Sequence, residues 1–174
     1  MSALTQSPLR QLLLHFPREG RLEWIGVRPR YRAAVEAVME VEALADHGLS
    51  GDHVVTGAGG KRQVTLIQWE HLHVVARLMG HERIDPALLR RNLAVSGVNL
   101  LSLRQSTFAV GKAILVGTGV CAPCSRMEEA LGIGGLNAMR GHGGITARIL
   151  QSGTLRLGDA VRWLSVNEEA TEEL

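Results

Sequence analysis

The sequence predicts a mainly β domain of barrel type carrying a few short helices. Three observations carry that expectation. Short apolar runs recur between glycine-marked turns, and 20 glycines in 174 residues stand well above the average usage of about 7%. Aromatic residues make up only 3% of the chain, so its core must come mostly from Val, Leu, Ile and Ala. Finally, there is no internal repeat and no linker, and the length suits one domain with a sizeable core.

The first 20 residues read as a helical extension. Ser7 serves as N-cap and Pro8 as the first helical residue, and Leu9, Leu12, Leu13 and Phe16 form a stripe to pack on the outside of the domain. Leu22–Val27 is a strand stopped by Pro29. Residues 33–45 have a helical composition, but Val35, Ala37, Met39, Val41 and Ala43 alternate with glutamates, so the period favours a strand. Gly48–His53 and Gly57–Gly60 are turns. Lys61–Ile67 is a strand opened by two cations. Trp69–Met79 is a helix with Leu72, Val75, Ala76 and Met79 on one face, ended by Gly80. Asp85 caps a helical turn that starts at Pro86. Leu93–Val95 and Asn99–Leu101 read as extended. Thr107–Val110 and Ala113–Val116 flank Gly111 as a hairpin. Arg126–Leu131 makes one or two helical turns, and Ile145–Leu150 and Ala160–Leu164 are further strands. The domain proper is thus expected over residues 21–165, and residues 166–174 form a glutamate-rich tail expected to be disordered.

Composition excludes several classes. A formal charge of +2 is too small to argue for nucleic acid or an anionic membrane, and scarce aromatics argue against base stacking. No run approaches the roughly 18 apolar residues of a membrane span, and no signal peptide is evident, so a cytoplasmic protein is expected.

The chemistry concentrates in Thr118–Glu128, which holds the chain's 2 cysteines, Cys121 and Cys124, as a CxxC pair after an apolar strand. A structural zinc site needs a second ligand pair, and none has the spacing. A thioredoxin-like pair normally opens a helix in a βαβ unit. Two inert thiols are the bland reading. A soft metal ligand is the fourth, because thiolate holds soft or high-valent transition metals better than carboxylate does, and Arg126 sets a cation nearby.

Lys61, Arg62, Arg90, Arg91, Arg126, Arg140 and Arg148 lie at strand ends or turns. Arginines that converge in space suit a phosphate-bearing ligand. Backbone N–H groups of Gly134-Gly135 and Gly141–Gly144 are candidate anion nests. Asn92 has the paired donor and acceptor that read the amide edge of a heteroaromatic ring. His53 and His142 stand out among the histidines because both lie in glycine-rich turns.

Several ordered motifs then resemble one family. They are Gly48-Leu49-Ser50-Gly51-Asp52-His53, Arg62–Ile67, Arg90–Leu100, Cys121-Ala122-Pro123-Cys124, Gly141-His142-Gly143-Gly144 and Gly158–Val161. Together they look like a MOSC domain, the module named after the C-terminal part of molybdenum cofactor sulfurases, over about Leu22 to Leu164. The resemblance implies a β-barrel of the pyruvate-kinase-barrel type and a bound molybdenum cofactor (molybdopterin). Cys124 matches the metal-binding cysteine, and Arg90 and Asn92 match residues that face the pterin and its phosphate. Arg62, Cys121, Ser125, Arg126, His142 and Gly143 complete the expected cofactor-binding set. Larger relatives add an N-terminal domain for which residues 1–21 are too short, and no pyridoxal phosphate is expected. The implied activity is reduction of small N-hydroxylated compounds, with electrons from a flavin-type reductase. The alternative is a carrier that hands the cofactor, or a sulfur held on cysteine, to an accepting enzyme.

Overall fold

A computed structural model gives the structure of the protein and describes residues 8–53 and 60–167. Its frame is a closed barrel of seven strands: β1 (Gly20–Val27), β5 (Val64–Gln68), β6 (Leu93–Ser96), β7 (Ser106–Val110), β8 (Ala113–Val120), β9 (Ile145–Gln151) and β11 (Ala160–Val166). Around the barrel the order is β1-β11-β7-β8-β9-β5-β6 and back to β1. All neighbours are antiparallel except β5 and β6. A parallel pair needs a crossover, and here it is the helix α2 (Trp69–Leu78) followed by a 3₁₀ turn at Pro86–Leu89. The remaining strands are short. β2 (Glu36–Ala37) pairs with the end of β1, and β3 (Glu40–Leu44) lies between β4 (Gly48–Leu49) and β10 (Gly153–Arg156).

The barrel is filled as its composition requires. Leu22, Ile25, Leu66, Leu93, Val95, Leu115, Ile145 and Ile149 are fully buried, and Phe108 is the one aromatic ring enclosed with them. Each such side chain contributes about 1.5–3 kcal/mol on leaving water. A second cluster lies outside the barrel. There Leu72, Val75 and Ala76 of α2 pack with Ile84, Leu89, Ala94, Met127 and Met139. Met127 belongs to α3 (Ser125–Leu131), and α4 (Gly135–Ala138) follows it. This second core therefore seats the helix that begins just after Cys124.

The period of residues 33–45 holds where it counts: Val41 and Ala43 of β3 are buried between exposed glutamates. The strand breaks before Glu40, leaving Ala37 exposed and Met39 73% exposed. Asn99–Leu101 is not extended. Asn99 Oδ1 accepts from the Leu101 N–H at 3.1 Å and caps a 3₁₀ turn at Leu100–Leu103. The N-terminal helix α1 (Pro8–Leu13) forms, but Leu9, Leu12 and Leu13 are each about two-thirds exposed, so the expected stripe is not packed. Only Phe16 docks, stacked on Trp163 with ring centroids 5.8 Å apart. Ser7, residues 57–59 of the second turn and residues 168–174 of the tail lie outside the described residues. Strand β11 continues through Val166, and the Asn167 N–H donates to the Gln105 carbonyl at 2.9 Å. Among the described residues no helix is long and apolar enough to cross a membrane.

Candidate functional site at one rim of the barrel

Side-chain reach, more than strand register, gathers the chemistry. Ile25 near the end of β1 faces Leu93 at the start of β6, Leu93 faces Leu66 of β5, Leu66 faces Ile145 at the start of β9, and Ile145 faces Val120 at the end of β8. Arg28, Arg62 and Arg90–Asn92 leave this level on the side of the β5 N-terminus, whereas Cys121 and the Gly141–Gly144 loop leave it on the side of the β5 C-terminus. Contacts across the level join the two groups. Arg62 Nη2 lies 3.5 Å from Cys121 Sγ, and Arg126 Nη2 donates to the Tyr31 hydroxyl at 3.3 Å.

The two cysteines have different environments. Cys121 is fully buried, and Cys124 is exposed as the residue preceding α3, with its side chain making no cap hydrogen bond. The Cys121 loop is clamped by Arg91, itself 5% exposed. Arg91 donates from Nε to the Gly143 carbonyl at 2.9 Å, from Nη1 to Leu89 O at 2.8 Å and from Nη2 to Cys121 O at 3.4 Å. Burial pushes the Arg91 guanidinium below its ordinary range, with the two cysteines opposing that shift. The glycines of the Gly141–Gly144 loop complete the clamp. A Cβ at Gly143 would collide with the Cys121 carbonyl, and one at Gly144 (φ +84°) with the Leu66 carbonyl. The Cys121 N–H donates to Gly144 O at 2.9 Å. Gly143 is thus a buried buttress of the cysteine loop.

Above the clamp lies a group of guanidiniums. Arg28 is held below its usual range first by burial, then by the positive charges of Arg90, Arg62 and Arg126, while Asp52 acts the other way. These three arginines are therefore close enough to Arg28 to repel it. Asp52 lies 3.7 Å from Arg28 Nη2 and 3.4 Å from His53 Nδ1. Among the described residues, Arg62, Arg90 and Arg126 have no carboxylate within salt-bridge distance. Arg90 adopts a left-handed backbone (φ +57°, ψ +30°) that closes the 3₁₀ turn and releases the chain into β6. At the edge of the group stands Tyr31, 66% exposed, with the guanidinium carbons of Arg32 and Arg126 each 5.6 Å from its ring centroid. A hydrogen bond from Arg32 and the charges of both arginines lower the pKa of its phenol.

Several expected site residues lie elsewhere or serve another purpose. Asn92 is 3% exposed and faces inward. Its Oδ1 accepts from Thr65 N at 3.1 Å and Thr65 Oγ1 at 3.0 Å, and its Nδ2 donates to Gly26 O at 3.2 Å and Asp52 Oδ2 at 2.6 Å. A carboxamide so engaged has no edge left for a heteroaromatic ring. His142 turns to α2, where its Nδ1 lies 3.2 Å from that of His71. The Gly134-Gly135 nest is filled by the protein's own Glu128, which accepts from Gly134 N at 2.7 Å and Leu136 N at 2.8 Å, and these bonds lower the pKa of its carboxyl. Arg148 pairs with Asp46 at 2.9 Å. Arg140 is exposed on its loop, and Ser125 is exposed beside Cys124.

Arg28, Tyr31, Arg32 and Asp52 were missed as site residues. The criterion that selected Arg62 and Arg90, a cation at a strand end, applies equally to Arg28 before Pro29. Two cavities lie away from this rim. One of about 560 Å³ is bounded by Trp69, Leu72 and Ile84, and one of about 440 Å³ lies beside Phe16 and Trp163. Neither includes the thiols or the clustered guanidiniums, and the chemistry of the rim outweighs cavity size as the guide to the site.

Fold and site define a small β-barrel protein with an exposed thiol on a loop held by a buried arginine. The chain belongs to the MOSC domain family, whose sequence profile matches residues 51–162. Among solved structures it is similar to the YuaD protein from Bacillus subtilis, at 20% identity and a TM-score of 0.73, covering 85% of this chain and 97% of that one. It is also similar to YiiM from Geobacillus stearothermophilus, at 16% identity and a TM-score of 0.69, covering 84% of this chain and 75% of that one. YiiM from Escherichia coli gives 19% identity and a TM-score of 0.63, with 86% and 75% covered. At such identities the likeness is one of fold. No curated protein matches the chain.

Proposed function

We propose that the protein binds a molybdenum cofactor at this rim and reduces small N-hydroxylated compounds with electrons from a partner flavin-type reductase. The observation that carries the reading is the exposed Cys124, felt by the buried Arg91, on a loop whose Cys121 thiol meets Arg62, one of three guanidiniums close enough to disturb Arg28. Mutually repelling cations favour a bound anion, and a thiolate favours a soft or high-valent metal, so the donor set fits a ligand that has both. Family membership supports the same cofactor.

In this reading Cys124 supplies the metal ligand, and Arg62, Arg90 and Arg126 grip the phosphate. Arg28, tethered by Asp52, adds positive charge without being free to swing out. Arg91 and the Gly143–Gly144 path hold the cysteine loop so that Cys124 keeps its position. Asn92 sustains the strand entry from behind instead of touching the ligand. When bound, the molybdenum centre supplies two-electron oxygen-atom chemistry. Removing the oxygen of an N-hydroxyl group as water consumes two electrons and two protons, so a reductant must accompany each turnover.

A carrier role is the second reading, and one observation favours it. The thiol is exposed and lies in neither of the two cavities, which suits handing a cofactor or a sulfur to an accepting protein. One experiment separates the two. Protein purified from cells that make the cofactor is assayed for molybdenum, then incubated with an N-hydroxylated purine with and without a flavin reductase. The enzyme reading expects multiple turnovers only with the reductase. No product in either tube, with transfer of the cofactor to an acceptor apoenzyme, establishes the carrier.

A further inference from the structure

We propose that His71 and His142 form a binding site for a divalent transition metal ion, separate from the thiol and guanidinium rim. Their Nδ1 atoms lie 3.2 Å apart, with ring centroids 4.7 Å apart and planes at 89°. Two imidazole nitrogens bound to one ion at about 2.0–2.1 Å, with an angle between roughly 90 and 109°, are themselves roughly 2.9–3.4 Å apart. The observed spacing falls in that range. An ion can therefore replace the proton now shared by the pair with little movement of either ring.

Both histidines are held in place by the fold. His71 lies in the first turn of α2, beside Leu72, Val75 and Ala76, which anchor the helix in the outer core. His142 lies in the loop that the buried Arg91 clamps through Gly143 O, and its own N–H donates to Met139 O at 2.9 Å. Loop and helix thus present two preformed nitrogens, and a preformed pair binds an ion at a smaller entropic cost than a mobile pair. Imidazole ligates in its neutral state. Moving the shared proton from Nδ1 to Nε2 of the donor ring frees the second lone pair without changing the charge.

Among the described residues no third His, Cys, Asp or Glu joins the pair. The remaining positions fall to water or an added ligand, as in open sites and unlike closed structural ones. Two imidazoles select zinc, copper or nickel and discriminate against magnesium and calcium, which require oxygen donors. An ion bound here would also tie α2 to the loop that buttresses Cys121.

The test uses the chelator-treated, full-length protein with Cys124→Ser, which removes the exposed thiol as a competing ligand. Calorimetric titration with Zn²⁺ and Ni²⁺ is expected to show one ion per chain and no binding of Mg²⁺. His71→Ala and His142→Ala are each expected to weaken binding by at least about tenfold, since even loss of a residue supporting a ligand commonly costs 10–100-fold, and His81→Ala is expected to leave it unchanged. If an alanine variant fails to fold by circular dichroism, His71→Gln and His142→Gln replace it. Nitrogen-15 spectra of the imidazoles are expected to report coordination through Nδ1 in both rings. Affinity unchanged in a folded His142 variant overturns the proposal, and so does the absence of any binding once Cys124 is serine.

Discussion

Replacing Asn92 by alanine separates an internal role from a ligand-reading one. The change strips four hydrogen bonds at once: two accepted from Thr65, one donated to Gly26 O and one donated to Asp52. Thr65 and Asp52 are themselves 5% exposed, so water reaches the abandoned groups poorly. A net loss of about 1 kcal/mol per bond gives a total of about 3–5 kcal/mol, a large share of the roughly 5–15 kcal/mol that holds a domain folded. For a chain of this size that lowers Tm by about 6–20 °C. The assay is urea and thermal unfolding of cofactor-free protein. Asn92→Asp adds a check of sign. It removes both donors and sets a second buried carboxyl against Asp52 Oδ2, 2.6 Å from the present amide nitrogen. Burial and the like charge raise the folded pKa of such a carboxyl above its unfolded value. Its protonated form is therefore tolerated below the unfolded pKa, and the destabilisation grows as pH rises through the folded pKa. Cofactor-free Asn92→Ala protein within 1 kcal/mol of wild type would refute the internal role and return Asn92 to the ligand.

Three further outcomes are expected. Cys124→Ala abolishes molybdenum retention with little change in unfolding free energy, whereas Cys121→Ala, at a fully buried position, costs about 1–2 kcal/mol of stability and leaves retention partly intact; metal analysis and urea titration of both variants check this. Arg90→Gly leaves Tm unchanged or raises it, because glycine adopts the left-handed backbone of this position without penalty, while cofactor occupancy falls; equal occupancy removes Arg90 from the site. Glu128→Gln flattens the acid limb of the stability profile. The folded pKa of Glu128 is depressed by the N–H groups of Leu136 and Gly134, so its contribution is present above the unfolded pKa and is lost as pH falls through the folded one. A thermal-melt series from pH 7 down to pH 3 in wild type and variant checks it.

Much of the fold was legible because barrel strands leave local traces. Val41 and Ala43 alternate with glutamates, Gly111 turns a hairpin, and Asp85-Pro86 announces a capped turn whose Oδ1 accepts from Ala87 N at 2.9 Å. The weak strands were not legible. Gly153–Arg156 pairs with β3 over a hundred residues away, which no local pattern encodes, and the two residues of Gly48–Leu49 form the short arm of a hairpin with β3, too brief to show a period. The exposed stripe of α1 shows the converse, since an apolar period states what a helix can bury and not whether a partner surface reaches it.

By itself the sequence determined the chemical inventory and its rough location. It named the CxxC pair, the arginines at strand ends and the glycine-rich loop at Gly141–Gly144, because residue type and turn propensity are local properties. Only the tertiary structure decided how each group is used. Cys121 and Cys124 are three positions apart, yet one is fully buried and the other exposed. Arg90 stays near enough to Arg28 to repel it, while the adjacent Arg91 spends its donors on three carbonyls. Asn92 is consumed by partners 27, 40 and 66 residues away, and His142 meets a histidine 71 residues away. The physical reason is that a strand end places a residue on a rim, but the direction and partners of its side chain follow from register and from the crossing of segments distant in the chain.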